Sequence, residues 1–170
     1  LMGFDGGIVV APNMLTAPFN PLTDFAPVTK LNDATIILVA NPSVPVKNIN
    51  DIVTLAKSKP EGLQFSSSGP GTTPHLAGEL LALRTGMKLS HIPYKGVAPA
   101  LTDVIGGNVD YLLSTIPACI QFIKSGQVKP IAVISMRRAP ALPDVPVAND
   151  TAPGLVGDLW VAIYAPKGVP

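Results

Sequence analysis

Residues 63–75 read Leu63-Gln64-Phe65-Ser66-Ser67-Ser68-Gly69-Pro70-Gly71-Thr72-Thr73-Pro74-His75. An apolar strand runs into a small polar loop, and a helical pattern with Leu76, Leu80 and Leu83 follows. The first N–H groups of a helix have no internal partner, and the dipole adds roughly half a positive charge at that end. Gly69 and Gly71 allow the main chain to come close to a ligand. Thr73 is the expected N-cap, with Pro74 at the first helical position, where its missing N–H does no harm. The loop therefore reads as a cradle for a carboxylate or phosphate. A plain capped turn between strand and helix is the alternative.

The same unit repeats on either side. A helix is expected from Asn48, with Asp51 in the acidic slot of a capping box and an apolar stripe of Ile49, Ile52, Val53 and Ala56. A second runs from Pro74 to Arg84, with Gly86 just past its end. Strand Lys88–Pro93 leads through Tyr94-Lys95-Gly96 to a helix over Pro99–Ile105. Strand Val109–Leu113 leads through Ser114-Thr115 to a helix opened by Pro117. Strand Pro130–Ser135 closes the series. Helix–strand alternation with short loops predicts a parallel α/β sheet over about 42–136. Ligands of such sheets sit outside the carboxyl ends of the strands. Three loops occupy that position: Ser67–His75, Tyr94–Ala98 and Ser114–Ala118.

The flanks are less regular. Asp5-Gly6-Gly7 reads as a turn, Thr35–Ala40 as a buried strand, Arg137–Pro153 as an extended linker and Leu159–Ala165 as a last buried strand with Trp160 in its core. Leu1–Phe4 carries no signal-peptide pattern, and both ends read as cut.

Composition narrows the function. Of 170 residues, 47% are apolar and 14% charged, which argues against disorder. Nineteen prolines and fifteen glycines punctuate the elements tightly. A net charge of +1 without a basic run points away from nucleic acid. The apolar runs are too short to span a bilayer. Cys119 is alone and only His75 and His91 are available, so neither a disulfide framework nor a metal site is expected. No cofactor motif is present.

Six stretches then resemble one family: FNPLTDFAPVTKL (19–31), NPSVPVKNINDIVTLAKSKP (41–60), SSGPGTTPHLAGELL (67–81), HIPYKGVAPALTDVIGG (91–107), IKSGQVKPIAV (123–133) and APALPDVP (139–146). They are similar, in order, to the periplasmic substrate-binding receptors of tripartite tricarboxylate transporters, the Bug-type receptors. The resemblance implies a periplasmic-binding-protein-like α/β fold of two lobes closing on an organic acid. It implies one complete lobe with a parallel-rich sheet, plus partial strands of the other. The expected division is 1–41 as partial lobe one, 42–152 as lobe two and 153–170 as the return to lobe one. Family members are about twice as long, so a fragment, a truncated product or a partner-dependent assembly is expected.

By the same resemblance, the ligand is held by loop N–H groups, hydroxyls and waters. The residues carried over are Ser67, Ser68, Gly69, Gly71, Thr72, Thr73 and His75, then Tyr94, Lys95 and Gly96. Phe4 to Ile8, which include Asp5 and Gly6, match a lobe-one segment, with Phe4, Asp5 and Gly7 departing from its usual pattern. Ser114 and Thr115 stand where the family often has aspartate and asparagine. Asp5, if it faces the pocket, would repel a second carboxylate and welcome an amine. His91 is expected to pack in or at the edge of its strand.

The expected partners are a small organic acid and membrane transporter subunits, in the periplasm. A homodimer through exposed lobe-one strands (Thr35–Ala40, Leu159–Ala165) is a further expectation. A ligand sensor feeding a regulatory membrane partner is the alternative. An α/β enzyme using Ser66–Ser68 is disfavoured: there is no Gly-x-Ser-x-Gly elbow and no acid partner for either histidine.

Overall fold

The computed structural model describes residues 1–14 and 16–169. Its longest strand, β2, spans Phe25–Ala40 and serves two sheets. The first half pairs antiparallel with β7 (Asp158–Pro166), from Phe25 opposite Pro166 to Thr35 opposite Asp158. Register shifts interrupt this ladder at Pro27/Thr29 and Lys30/Asn32. Pro27 has no N–H to donate, so an irregular ladder is its expected setting. The short β1 (Met2–Phe4) lies on the far side of β7.

From Ile36 onward β2 runs between two other strands. It is antiparallel to β5 (Tyr111–Thr115) on one edge and to β6 (Lys129–Ile134) on the other. Beyond β5 come β3 (Leu63–Ser67) and β4 (Leu89–Pro93), in parallel register. The expected parallel sheet is therefore corrected to a mixed one. Parallel pairing is confined to β4–β3–β5, because β2 enters from the neighbouring sheet in the opposite direction. Ile36–Ala40, assigned above to the strip 1–41, thus pairs inside the sheet of the 42–152 lobe.

The alternation predicted between the strands is present. Helices α2 (Ile49–Ser58), α3 (Thr73–Thr85), α4 (Val97–Ile105) and α5 (Ile116–Lys124) follow their strands in turn. The Asn48 side chain caps α2 by accepting from the Asp51 N–H at 3.0 Å, and the Asp51 carboxylate accepts from the Lys47 N–H. Each sheet face has its own core. Ile36, Leu38, Phe65 and Leu113 pack with α2 and α3. Ile37, Val39, Leu112 and Val133 pack with α4 and α5. Full burial of each such aliphatic side chain contributes about 1.5–3 kcal/mol. Gly78 lets α3 sit directly on the sheet, since a Cβ there would stand 2.2 Å from the Phe65 ring.

Four further expectations change. Asp5–Gly7 is not a turn. Asp5 is already helical, and a π-helical turn over Gly6–Val10 continues into α1 (Ala11–Met14). Arg137–Pro153 is not a loose linker. Ala139, Val145 and Val147 are buried, Val147 bridges to Val133, and α6 (Ala148–Thr151) follows. The prolines space short apolar residues, and each docks beside β6. Neither strand expected to lie open offers an edge: Ile36 and Ala40 are 0% exposed, and β7 is paired on both sides. Trp160 is only half-buried. With Ile8, Pro12, Phe19, Phe25 and Tyr164 it lines an open apolar cavity of about 730 Å³ that no residue of the β3–α3 loop reaches.

Tyr111 is buried with no partner for its hydroxyl among the described residues, beside a small void lined by Leu38, Ile52, Phe65 and Leu81. Burial pushes its phenol well above the ordinary range. A buried polar group without a partner costs about 1–3 kcal/mol. Tyr111→Phe is therefore expected to raise the unfolding free energy by an amount of that order, read from urea denaturation. A loss of stability would mean that the hydroxyl has a partner.

Candidate functional site

The β3–α3 loop is folded on itself. The Ser67 hydroxyl receives the Gly69 N–H at 3.2 Å, and the Thr72 hydroxyl donates to the Gly69 carbonyl at 2.7 Å. Gly69 and Gly71 have φ of 138° and 72°, in the region that side-chain-bearing residues avoid. The N-cap of α3 is Thr72, one residue earlier than expected, and Thr73 begins the helix. Neither threonine hydroxyl caps it. That of Thr72 serves the turn, and that of Thr73 donates to Asp5 Oδ2.

That last bond joins the two sheets. Asp5 is 7% exposed, and its other oxygen, Oδ1, has no partner among the described residues. Gly6 lies so close that a Cβ on it would meet the Gly71 carbonyl at 3.4 Å. Met14 and Val10 approach Gly71 from the same side. The segment carried over from lobe one therefore faces the segment carried over from lobe two.

The neighbouring loop touches this one. The Gly96 N–H donates to the Ser68 carbonyl at 3.1 Å, and the Tyr94 carbonyl lies over Gly69. The Tyr94 side chain is used elsewhere, donating to Asp103 Oδ2 at 2.5 Å. That bond pushes the phenol up to about 12 and holds the Asp103 carboxyl below its usual range. Lys95 is exposed and makes no ion pair among the described residues. The third loop stands apart. β5 runs two residues further than expected, so Ser114 is a buried strand residue opposite Ile37. Thr115 caps α5. The three helix starts share one sheet edge, but α3 approaches from one face and α4 and α5 from the other.

Two histidines complete the cluster. The His75 ring accepts the Gly71 N–H on Nδ1 at 3.2 Å, so this nitrogen is turned to its own loop and not outward. Its Nε2 lies 3.7 Å from Glu79. His91 was expected only to pack. It does stack on Phe65, but it also hydrogen-bonds Ser67 through Nε2 at 2.7 Å and lies 4.1 Å from the His75 ring. The signal missed was register: β3 and β4 run in parallel with Phe65 opposite His91. A Ser–His pair alone invites a nucleophile reading. Ser67 is 0% exposed, however, and no described carboxylate contacts His91 to orient it. Among the described residues, no group of three or more His, Cys, Asp or Glu could hold a metal ion.

A mixed α/β sheet joined through β2 to a second sheet, with a glycine-rich helix start beside the junction, is the fold of the periplasmic binding proteins. The whole chain, residues 1–170, matches the Tripartite tricarboxylate transporter family receptor, and the protein belongs to that family. It is 34% identical over 156 residues to Protein BugT of Bordetella pertussis, covering 91% of this chain and 48% of that protein. An R. palustris protein solved with adipate superposes with a TM-score of 0.92 at 32% identity, over 99% of this chain and 57% of the other. The periplasmic binding protein BugD gives 0.91 at 33% identity, over 100% and 57%. The chain spans about half the length of the proteins it matches. No described helix is long and apolar enough to cross a membrane.

Burial, and then the nearness of His75, lower the His91 pKa from 6.5 to about 4. The unfolded chain takes up this proton near pH 6.5 and the folded chain only near pH 4. The stability tied to the neutral ring is therefore complete above pH 6.5 and is lost as pH falls toward 4. The thermal midpoint is expected to drop across that window, and His91→Gln should flatten the drop. An unchanged slope in the variant would clear His91 of this role.

Proposed function

We propose that this chain is part of a periplasmic receptor that captures a small organic acid for a tripartite tricarboxylate-type transporter. The observation that carries the reading is the meeting of Asp5–Gly6 with Gly71–Thr73 across two sheets, at the start of a 13-residue helix. The first N–H groups of that helix have no intrahelical acceptors and favour negative charge. Arginine is absent from the loop, so the main chain supplies the donors. The adipate in the R. palustris relative supports a carboxylate as the ligand class.

In this reading Ser68, Gly69, Gly71, Thr72 and Thr73 form the cradle; the Gly69 and Gly71 N–H groups hold its shape on Ser67 and His75, and the start of α3 offers the donors to the ligand. Tyr94 and Gly96 brace it from β4, Asp5 and Gly6 close it from the other sheet, and His75 and Lys95 flank it. Ser114 and Thr115 are left to sheet packing and capping. Residues 42–152 act as one lobe, joined to the other through β2 and β7. Closure bends the crossings near 40–46 and 150–158, which are tied by Lys129 Nζ on the Val44 carbonyl and by the Gly157 N–H on the Ile134 carbonyl. The receptor then hands its ligand to membrane subunits without chemistry on it. A sensor would use the same site with another membrane partner.

Ser68→Asp puts a fixed negative charge beside the cradle. It is expected to weaken adipate binding at least tenfold by calorimetry, with the circular dichroism spectrum unchanged. Unaltered affinity would remove the loop from the site.

A further inference from the structure

Asp5 is the unusual group in this cradle. A helix start that is to receive a carboxylate already has one beside it, 93% enclosed (7% exposed) and bound by a single oxygen. The other oxygen, Oδ1, is buried beside the bond to Thr73 with no donor from the described residues. No described cation lies within ion-pair distance: the two ion pairs join Lys30 to Asp33 and His75 to Glu79. A buried charge is tolerated when it is paired, and a carboxylate accepts donors only.

Resting on the carboxylate reading above, we infer that Asp5 Oδ1 receives an ammonium group of the ligand, so that the site selects an α-amino carboxylate over a plain dicarboxylate. The position decides between α and ω. Asp5 is held by Thr73, the first residue of α3, whose N–H groups form the cradle. The ammonium must therefore sit close to the carboxylate on the ligand, as it does when both are borne on one carbon. An ω-amino acid would carry its charge several bonds away. A second ligand carboxylate at this point would face Asp5 as a like charge, and a hydroxyl would leave that charge uncompensated.

Calorimetry on the intact protein with four-carbon and six-carbon probes tests this. Succinate, malate, aspartate and 4-aminobutyrate share one chain length; adipate and 2-aminoadipate share the other. Aspartate or 2-aminoadipate is expected to bind at least tenfold more tightly than its plain dicarboxylate. Asp5→Asn should bring that ratio below about threefold. The wild-type ratio reads the inference even if the variant does not fold. Succinate, malate or adipate binding as tightly as the amino acid of its length would overturn it and leave the carboxylate reading standing. So would an unchanged ratio in a folded Asp5→Asn, and 4-aminobutyrate matching aspartate would overturn the α-placement. Failure of every acid to bind would overturn the carboxylate reading and the inference together.

Discussion

One strand holds the two halves of this protein in register. β2 is 16 residues long, and its backbone groups are committed to β7 over the first half and to β5 and β6 over the second. Neither half can shift without breaking hydrogen bonds in both sheets. The second half is also the most deeply buried part of the chain, with alternate residues feeding the cores on opposite faces. Everything that meets at the candidate site is positioned from this strand. β3 and its loop lie one strand beyond β5, and Asp5 follows β1, one strand beyond β7.

The candidate site is shaped by main-chain geometry more than by side-chain charge. Gly69 and Gly71 turn the loop through conformations closed to other residues, and hydroxyls of Ser67 and Thr72 hold that turn from within. Several side chains that look like ligand donors in the sequence are thus occupied in shaping the loop. His75 takes the Gly71 N–H, Ser67 shares its hydroxyl with His91, and the Tyr94 hydroxyl is tied to Asp103. What is left over at this place is the start of α3 and the Asp5 oxygen that has no partner among the described residues.

The apolar cavity against Trp160 and Tyr164 belongs to different physics. Its walls are apolar side chains of the β2–β7 sheet and the segments around Pro12 and Pro21, with little polar surface to orient a small acid. Size alone would favour it as a binding site. The polar groups gathered where Asp5 meets the start of α3 favour Gly71–Thr73 instead.

The alternation of strands and helices, the capping of α2, the stop of α3 at Gly86 and the loop at Ser67–His75 were all legible in the sequence. Each depends on residues a few positions apart, where propensity and local hydrogen bonding decide. The direction and reach of β2, the docking of Ala139–Ala152 on β6 and the helical start at Asp5 were not, because they are settled by strand pairing and packing that no local pattern encodes. His91 lay in plain view but acquired its role only when parallel register set it beside Phe65 and Ser67. Local chemistry thus specified the loop from Ser67 to His75, whereas the carboxylate bound to it came from tertiary pairing, since only the folded sheets bring Asp5 to Thr73.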